Sequence, residues 1–493
     1  MNLLLITADQ WRGECLSAAG HPCVQTPVLD QLAARGTRFA RHFTQATPCG
    51  PARASLHTGM YAMNHRSVTN GTPLDARHDD LAALARRGGL RPVLFGYTDM
   101  SPDPRALPAG DPRLRTYEGV YESFEQGLVL REDSGPWLAH LERRLGGSFT
   151  LADVYGGPLG APAPYPAELS ETAFLTDAAI DFLERLDDPA PWLVHVSYLR
   201  PHPPLVAAAP WHGLHHPDDV PAPVRAPSPA EEAELHPWLA AKLAQPLGGG
   251  WWGKPVSLEE GEIRLARAVY YGLIAEVDHH VGRLLDAVRA RGDADQTLIV
   301  FTADHGEMVG DHWLLGKEGF FQEAFHVPLI VRDPSPAARR GQVVERFSEQ
   351  IDLVPTVLDR LGLPVPLQCD GRSRVPLLDG VEPAGWRTAA HYEHDFRDVE
   401  TLTFEQALGL PSDRCALAVR HGERFAYAHF NGLPPLCFDL EADPHQFTSI
   451  AADPARAPEV LEQAQAMLSW RMDMAERRLT GCKLTEAGPI GRY

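Results

Sequence analysis

The sequence predicts an α/β fold built on a mostly parallel sheet with helices on both faces, followed by a smaller C-terminal antiparallel α+β subdomain. Three observations predict it. Short, continuous apolar runs recur and each ends in polar residues, which is typical of buried parallel strands. Segments with helical periodicity lie between these runs, and after about residue 380 the pattern changes to shorter β signals. Such sheets bind ligands beyond the carboxyl ends of their strands, so functional residues are expected there.

Four apolar runs predict the core strands of the sheet, and a long helix is predicted before the last of them. The helix is expected to begin at Ser257, because Ser257 and Glu260 have the spacing of a capping box and apolar residues follow at helical intervals to Leu285. The strands are predicted at residues 3–7, 93–97, 192–198 and 297–302.

The chain is expected to form two domains, residues 1–379 and residues 380–493. Within the first domain, residues 200–255 are rich in Pro, His and Gly, which predicts a long excursion that forms a lid or an oligomer contact. Trp251 and Trp252 lie in this excursion and are expected to pack at a subunit interface. Two further elements are predicted in the second domain: a hairpin within residues 416–430 and a final helix over residues 458–478.

Composition and charge exclude some classes of partner. The chain has 493 residues with 65 acidic and 45 basic side chains, a formal net charge of -20, and no cluster of Lys and Arg. Nucleic acid is therefore not an expected partner, since binding to a phosphate backbone needs clustered cations. The N-terminal apolar run is too short for a signal peptide or a membrane span, and seven cysteines without paired spacing fit a reducing compartment. We expect a cytoplasmic protein with no membrane partner.

The stretch Pro48-Cys49-Gly50-Pro51-Ala52-Arg53 is the most informative motif. It puts Cys49 in a turn before a predicted helix, with Arg53 one turn further on. A helix N-terminus favours negative charge and Arg53 can hold an anion, so the pattern predicts a nucleophile beside an anion site. The alternative is a buried structural cysteine beside an N-terminal proline, and spacing alone gives it about equal support.

Two polar clusters follow predicted strands and predict a metal site. Asp9 and Gln10 follow the first strand, and Asp304 and His305 follow the strand at 297–302. Oxygen donors at the ends of two parallel strands are what a divalent cation requires. Each cluster alone would be read as an aspartate that caps a helix or loop, but together with Cys49 they favour the metal site.

Residues 49–53 resemble the signature of the sulfatase family, in which the cysteine becomes Cα-formylglycine after translation. The resemblance implies that Cys49 supplies an aldehyde hydrate, one hydroxyl of which attacks sulfur or phosphorus while the other allows release of the inorganic anion. It implies a metal shell of Asp9, Gln10, Asp304 and His305, completed by the modified residue 49. Many sulfatases have Asp-Asp where this chain has Asp9-Gln10, and one fewer negative ligand weakens the affinity for a hard ion and leaves its identity open, with Ca²⁺ and Mn²⁺ as the leading candidates.

The landmarks are similar, over nearly the whole chain, to the phosphonate monoester hydrolase branch and its arylsulfatase relatives. This resemblance implies an alkaline-phosphatase-like sheet. It also implies that Asn70 and Tyr97 line the anion pocket. Lys317 is expected to stabilise charge on the transferred group, and His202 to donate a proton or hydrogen bond to the leaving oxygen.

Asp99 departs from the family pattern. The Gly-Lys-Trp-His element of many arylsulfatases is replaced here by Gly96-Tyr97-Thr98-Asp99, and phosphonate hydrolases have a threonine at the place of Asp99. As a hypothesis, Asp99 accepts the proton of the diol, and its charge disfavours dianionic phosphate monoesters relative to monoanionic esters.

The sequence therefore predicts a metal-dependent hydrolase of monoanionic esters, with aryl sulfate monoesters as the first expected substrate class. Phosphonate monoesters and phosphodiesters are the alternative within the same family. A non-catalytic metal-binding protein with unmodified Cys49 is the alternative from a different class. A small anionic ester, a formylglycine-generating maturation enzyme and a homo-dimer or homo-tetramer are the expected partners and assembly.

Overall fold

The central sheet is mostly parallel, as the sequence predicts. The computed structural model describes residues 1–245 and 257–491. In this part of the chain the strands are β1 (Asn2–Ala8), β2 (Thr37–Phe39), β3 (His42–Phe43), β4 (Ala46–Thr47), β5 (Arg91–Gly96), β6 (Glu125–Val129), β7 (Trp192–Tyr198), β8 (Thr297–Ala303), β9 (Leu329–Arg332), β10 (Gln342–Val344), β11 (Ser348–Glu349), β12 (Ala389–Asp395), β13 (Ala416–Gly422), β14 (Phe425–Phe430), β15 (Leu436–Asp439), β16 (Cys482–Thr485) and β17 (Gly488–Gly491). Eight described strands form the main sheet in the order β10-β2-β9-β8-β1-β7-β5-β6, in which β9 alone runs antiparallel to its neighbours.

Helices cover both faces of this sheet. Leu4 and Ile6 of β1 belong to one apolar core and Leu3 and Leu5 belong to another, because successive side chains of a strand point to opposite faces. No helix among the described residues is both long and apolar enough to span a membrane. The described helices are α1 (Pro27–Ala34), α2 (Cys49–Thr58), α3 (Ala62–His65), α4 (Leu81–Arg87), α5 (Gly135–Leu145), α6 (Leu151–Tyr155), α7 (Glu171–Arg185), α8 (Pro229–Ala233), α9 (Pro237–Leu243), α10 (Glu260–Ala290), α11 (Leu353–Arg360), α12 (Val375–Leu378), α13 (Thr403–Leu408) and α14 (Ala457–Asp473).

The four predicted core strands are confirmed as β1, β5, β7 and β8. The long helix is confirmed as α10, but its predicted start at Ser257 is wrong. The helix begins at Glu260, and Oγ of Ser257 accepts a hydrogen bond from the backbone N–H of Glu259 at 3.0 Å instead of capping the helix. The capping-box spacing is present, but the local turn uses the serine before the helix starts.

A second sheet contains the C-terminal strands β12 to β15 and the short strand β4. Strands β12 to β15 are antiparallel, and β4 adds to the edge of β12 in parallel. The predicted hairpin is β13 and β14, and the predicted final helix is α14, which ends at Asp473. Because β4 directly precedes Cys49, the C-terminal sheet holds the strand that leads into α2.

The described part of the predicted excursion, residues 200–245, packs against its own chain. Trp238 is fully buried in an apolar core with Phe320 and Phe404. The backbone N–H of Val224 donates to Oδ1 of Asp311 at 2.6 Å. Trp251 and Trp252 lie outside the described residues.

Candidate active site

Cys49 is the first residue of α2 and is 1% exposed. Gly50 is closely surrounded, because a Cβ at this position would lie 3.1 Å from the carbonyl oxygen of Asp99 and 3.3 Å from Oδ1 of Asn70. The same Oδ1 of Asn70 accepts a hydrogen bond from the backbone N–H of Gly50 at 2.9 Å. Asn70 thus satisfies one of the free donors at the start of the helix and fixes the approach to Cys49.

The predicted metal-site residues meet at one edge of the sheet. Asp9 and Asp304 follow β1 and β8, which are neighbouring parallel strands. Ligand atoms of Asp9, Cys49, Asp304 and His305 all lie within 4.8 Å of one another. Oδ1 of Asp9 is buried and has no hydrogen-bond partner among the described residues, which is costly unless a cation binds it. Two carboxylates and one imidazole therefore fit a divalent metal ion.

Arg53 joins the two carboxylates of this site. Its Nε donates to Oδ2 of Asp304 at 2.9 Å, and Nη2 donates to Oδ2 of Asp9 at 2.8 Å. Nη1 donates to the carbonyl of Tyr97 at 2.8 Å and to Oγ of Ser197 at 2.9 Å. The guanidinium of arginine has five N–H groups, and these four hydrogen bonds leave one of them for an anion. Arg53 positions the metal-site carboxylates, while its contact with the transferred group stays a prediction.

Tyr97 is directed at the metal site. Its hydroxyl donates to Oδ2 of Asp9 at 2.5 Å, and the guanidinium of Arg53 lies 4.2 Å from the centre of its ring. Burial, together with Asp9, raises the pKa of Tyr97 well above its usual value, so the phenol stays neutral and remains a donor. Tyr97 therefore orients Asp9, and its predicted place in the anion pocket stays a prediction.

Gln10 is held between Lys317 and Glu307. Its Nε2 donates to Oε2 of Glu307, and its Oε1 accepts from Nζ of Lys317 at 3.1 Å. Glu307 also accepts from the backbone N–H groups of Val309 and Gly316, at 2.9 and 2.6 Å. Glu307 fixes which end of the amide faces the site. Glu307 follows His305 by two residues and belongs to the same motif, but no role was predicted for it from the sequence.

Lys317 reaches the same centre from the loop after β8, and its predicted contact with the transferred group stays a prediction. Nζ lies 2.9 Å from Sγ of Cys49. Burial alone would lower the pKa of Lys317, but Cys49 and Asp9 raise it, so the side chain is an ammonium. Burial raises the pKa of the Cys49 thiol well above its usual value, and Asp9 adds to this effect. An unmodified Cys49 is therefore a neutral thiol and a poor nucleophile.

His202 is buried near this centre. Its Nδ1 lies 2.6 Å from the carbonyl of Pro203, and burial, followed by the charge of Lys317, lowers the pKa of His202 well below its usual value. Nη1 of Arg200 donates to the carbonyl of His202 at 2.6 Å, and Nη2 of Arg200 pairs with Glu171 at 3.1 Å. Arg200 thus positions the loop that carries His202. The role of His202 as a proton donor stays a prediction.

Asp99 is buried behind Gly50. Both of its carboxylate oxygens lack a hydrogen-bond partner among the described residues. Burial raises the pKa of Asp99 to about 8. Its backbone is left-handed, with a φ of 51°, a region that aspartate tolerates better than most side chains. Burial of these oxygens and the left-handed backbone both cost stability, so Asp99 is a candidate for a functional role.

A cavity of about 480 Å³ opens beside His202. Its walls include Tyr117, Glu132, Tyr155 and Arg200. Burial raises the pKa of Glu132 to about 7, and the charge of Lys317 opposes this effect. The sequence analysis identified only His202 here, because Tyr117 and Glu132 lie in loops on either side of β6 without a recognisable motif.

The fold and the site together define a class of protein, the hydrolases of the alkaline phosphatase superfamily. The similarity to solved structures of this fold confirms the predicted fold class. Within that class, the chain belongs to the sulfatase family. The family model Sulfatase matches residues 1–363, and the model for the C-terminal region of N-sulphoglucosamine sulphohydrolase matches residues 310–473.

Three similar proteins match over nearly their full length. The multifunctional alkaline phosphatase superfamily protein PehA of Trinickia caryophylli is 41% identical, over 99% of this chain and 98% of that protein. The crystal structure of the phosphonate monoester hydrolase of Agrobacterium radiobacter has 46% identity and a TM-score of 0.96, over 100% of this chain and 99% of that one. The phosphonate monoester hydrolase SpPMH from Silicibacter pomeroyi has 40% identity and a TM-score of 0.93, with the same coverage.

Proposed function

We propose that the chain hydrolyses phosphonate monoesters and phosphodiesters, with sulfate monoesters as poorer substrates. The observation that carries this proposal is the full-length similarity to a phosphonate monoester hydrolase, at 46% identity and a TM-score of 0.96. The sequence analysis put sulfate monoesters first and this class second. The order is reversed here, because the similarity to phosphonate monoester hydrolases covers the whole chain at 40–46% identity.

Asp9, Gln10, Asp304 and His305, together with residue 49, would hold a divalent ion, with Ca²⁺ and Mn²⁺ as the proposed ions. When bound, the ion supplies positive charge that stabilises the oxygens of the transferred group. Arg53 and Tyr97 fix the orientation of Asp9, and Glu307 fixes that of Gln10. These supporting bonds keep the donor atoms in place before substrate arrives.

Conversion of Cys49 to formylglycine would supply a hydroxyl nucleophile and a route for release of the product anion. The raised pKa of the Cys49 thiol supports this assignment, because the unmodified side chain is not a thiolate at neutral pH. Lys317, 2.9 Å from Sγ of Cys49, and the last free N–H of Arg53 are positioned to bind the oxygens of the transferred group. Asn70 fixes the start of α2 by accepting a hydrogen bond from the backbone N–H of Gly50.

Two side chains are proposed to move protons. His202 serves the leaving oxygen, and a bound anion would raise the pKa that burial and Lys317 lower. Ionised Asp99 accepts the proton released from the nucleophile, and its two buried carboxylate oxygens, which have no hydrogen-bond partner among the described residues, support this role. With a pKa of about 8, Asp99 is largely protonated at neutral pH, so both this proton transfer and the penalty on dianions expected from the sequence apply near and above pH 8.

The experiment is a comparison of kcat/KM for one leaving group, 4-nitrophenol, presented as phenylphosphonate monoester, phosphodiester and sulfate monoester. The protein must first be shown by mass spectrometry to carry the aldehyde at residue 49. We expect the phosphonate monoester and the diester to exceed the sulfate by about tenfold or more, equivalent to about 1.4 kcal/mol of transition-state binding.

A preference for the sulfate ester would refute the proposed order and restore the arylsulfatase assignment. The matched control is Cys49→Ala, which keeps the fold and removes the nucleophile, so its residual rate reports contaminants. A fully unmodified peptide in protein from the native host, with no turnover of any ester, would support the non-catalytic alternative.

A formylglycine-generating enzyme is the proposed maturation partner, and a cytoplasmic homo-dimer or homo-tetramer is the proposed state. Support for self-association comes from the C-terminal hairpin of β16 and β17. There Leu484 is 79% exposed and Ile490 is 54% exposed, so the hairpin offers two large apolar side chains for contact with a second copy of the chain.

A further inference from the structure

The cavity beside His202 contains one acidic side chain that makes no ion pair among the described residues. Two ionic side chains line it, Arg200 and Glu132. Arg200 pairs with Glu171 at 3.1 Å, and both of these side chains are almost fully buried. The positive charge of Arg200 is therefore compensated inside the wall, and the carboxylate of Glu132 sets the electrostatic character of the cavity.

The polar contacts of Glu132 involve its backbone, while its side chain lines the cavity. Its N–H donates to Oε1 of Glu118 at 2.7 Å, and Oγ of Ser134 lies 3.4 Å from its carbonyl oxygen. The hydroxyl of Ser134 donates to Glu171, which links this wall to Arg200. Within residues 1–245 and 257–491, the polar contacts of Glu132 are these backbone ones. They hold the backbone at the cavity wall and leave the carboxylate without a hydrogen bond in this part of the chain.

An aromatic ring stands in the same cavity. Tyr117 lines it and is 45% exposed. An accessible tyrosine ring beside a carboxylate is a combination that recognises ammonium groups, because the ring face and the carboxylate both attract a cation. His202, the proposed group at the leaving oxygen, lines the same space, so this cavity lies where the leaving group would be.

We propose that the cavity accepts the leaving alcohol and that Glu132 and Tyr117 select leaving groups that carry an ammonium substituent. This inference rests on the proposed function and names its substrate class. A neutral aryl group fits the same space through contact with Tyr117 and Leu199, but it leaves the charge of Glu132 uncompensated. The acidic net charge of the chain, -20, also favours the approach of a substrate that carries a cation.

The test uses two esters of the same shape, the phenylphosphonate monoesters of 3-(trimethylammonio)phenol and 3-tert-butylphenol. The ratio of their kcat/KM values is measured for the wild type and for Glu132→Gln, which keeps the shape and removes the charge. The intrinsic reactivity of each ester cancels when the two ratios are divided. Above about pH 8, where Glu132 with its pKa of about 7 is ionised, we expect the preference for the cationic ester to fall by about tenfold in Glu132→Gln, because the substitution removes the partly buried carboxylate that attracts the cation. An identical ratio in the two proteins would overturn the inference.

The matched control is Asp133→Asn, which removes a negative charge from the exposed neighbouring side chain and should keep the wild-type ratio. If Glu132→Gln does not fold, the two free phenols are compared as product inhibitors of the wild type. We expect the ammonium phenol to bind about tenfold more tightly, and equal inhibition would contradict the inference. Failure of the proposed function looks different, because it would show as a preference of the wild type for 4-nitrophenyl sulfate over the phosphonate ester, whatever the ratio between the two phosphonate esters.

Discussion

Arg53 shows at the residue scale how the site keeps its negative groups together. Its guanidinium contacts both Asp9 and Asp304, and it is almost fully buried with them. Removal of one partner from such a cluster leaves an uncompensated charge, which is far more costly than the pair is stabilising. The planar fork of arginine also matches two acceptors at fixed positions, which a lysine cannot do.

We therefore expect Arg53→Lys to lower the affinity for Mn²⁺ and Ca²⁺ by about 10–100-fold, because the two carboxylates lose their common donor. The measurement is calorimetric titration of metal-stripped protein. Arg200→Lys is the matched control, since Arg200 is also buried and paired with a carboxylate but lies outside the metal site. Equal affinities in wild type and Arg53→Lys would show that Arg53 does not position the metal ligands.

Asp99 provides the second residue-scale prediction. Asp99→Asn keeps the size and the left-handed backbone but cannot accept the proton, so we expect kcat/KM to fall by about 10²-fold or more. Steady-state rates for the phosphonate and sulfate esters, measured across pH, provide the test. If turnover and the pH profile were unchanged, Asp99 would have no part in proton transfer.

The predictable site residues are those whose signal is local in the sequence. Asp9 and Asp304 were predicted because each follows a recognisable strand, and Cys49 because its motif is short and distinctive. Ser197 and Glu132 could not be predicted. Ser197 looks like any serine in a buried strand until β7 is placed beside β1, and Glu132 reaches the cavity through a loop without a pattern.

At the scale of elements, α1 begins with help from a helix that is distant in sequence. Thr26, its N-cap residue, makes no side-chain cap, and Asp278 of α10 does so instead. Its Oδ2 accepts from the backbone N–H of Val28 at 3.1 Å and its Oδ1 from that of Leu29 at 2.8 Å. Asp278 thereby joins two helices on the same face of the sheet and satisfies free donors of α1.

The pH dependence of stability should report on Asp278. Burial raises its pKa from 3.8 to about 7 in the folded protein. Between these values the unfolded chain releases the proton while the folded protein keeps it. The contribution of Asp278 to the free energy of unfolding therefore falls as pH rises, by up to about 1.4 kcal/mol per pH unit, and levels off above about 7.

Asp278→Asn lacks this titration, so we expect its stability relative to wild type to improve from pH 5 to pH 8. Urea unfolding at several pH values measures this difference. Asp286→Asn, at an exposed position of the same helix, should show no such trend. A difference between wild type and Asp278→Asn that stays constant with pH would contradict the assignment.

Elements were predictable where burial imposes a continuous pattern. The strands β1, β7 and β8 are buried over their whole length and mostly apolar because both faces are covered, and this pattern is visible in the sequence. Strand β4 has two residues, Ala46 and Thr47, and no pattern of that length can be recognised. It exists because β12 offers an edge, which is information that lies far away in the chain.

At the scale of the whole molecule, the C-terminal sheet is part of the active-site scaffold. The pairing of Ala46 with Glu393 and of Thr47 with His394 joins the nucleophile segment to the C-terminal strands. The hydroxyl of Tyr392 lies 2.5 Å from Oγ1 of Thr47, two residues before Cys49. The predicted boundary at 379/380 stays a prediction, and across it the two parts share a sheet.

This shared sheet has a consequence for the order of events during biosynthesis. Residue 49 leaves the ribosome long before residues 389–395 are made, and until β12 pairs with β4 the segment around Cys49 is not sealed. A maturation enzyme that must bind this segment has only that interval, because Cys49 is 1% exposed in the folded protein. On the proposed chemistry, a molecule that folds with its cysteine unconverted would stay inactive for its lifetime. The fraction of molecules that become active would then depend on how fast Cys49 is converted compared with how fast β12 is synthesised and pairs with β4.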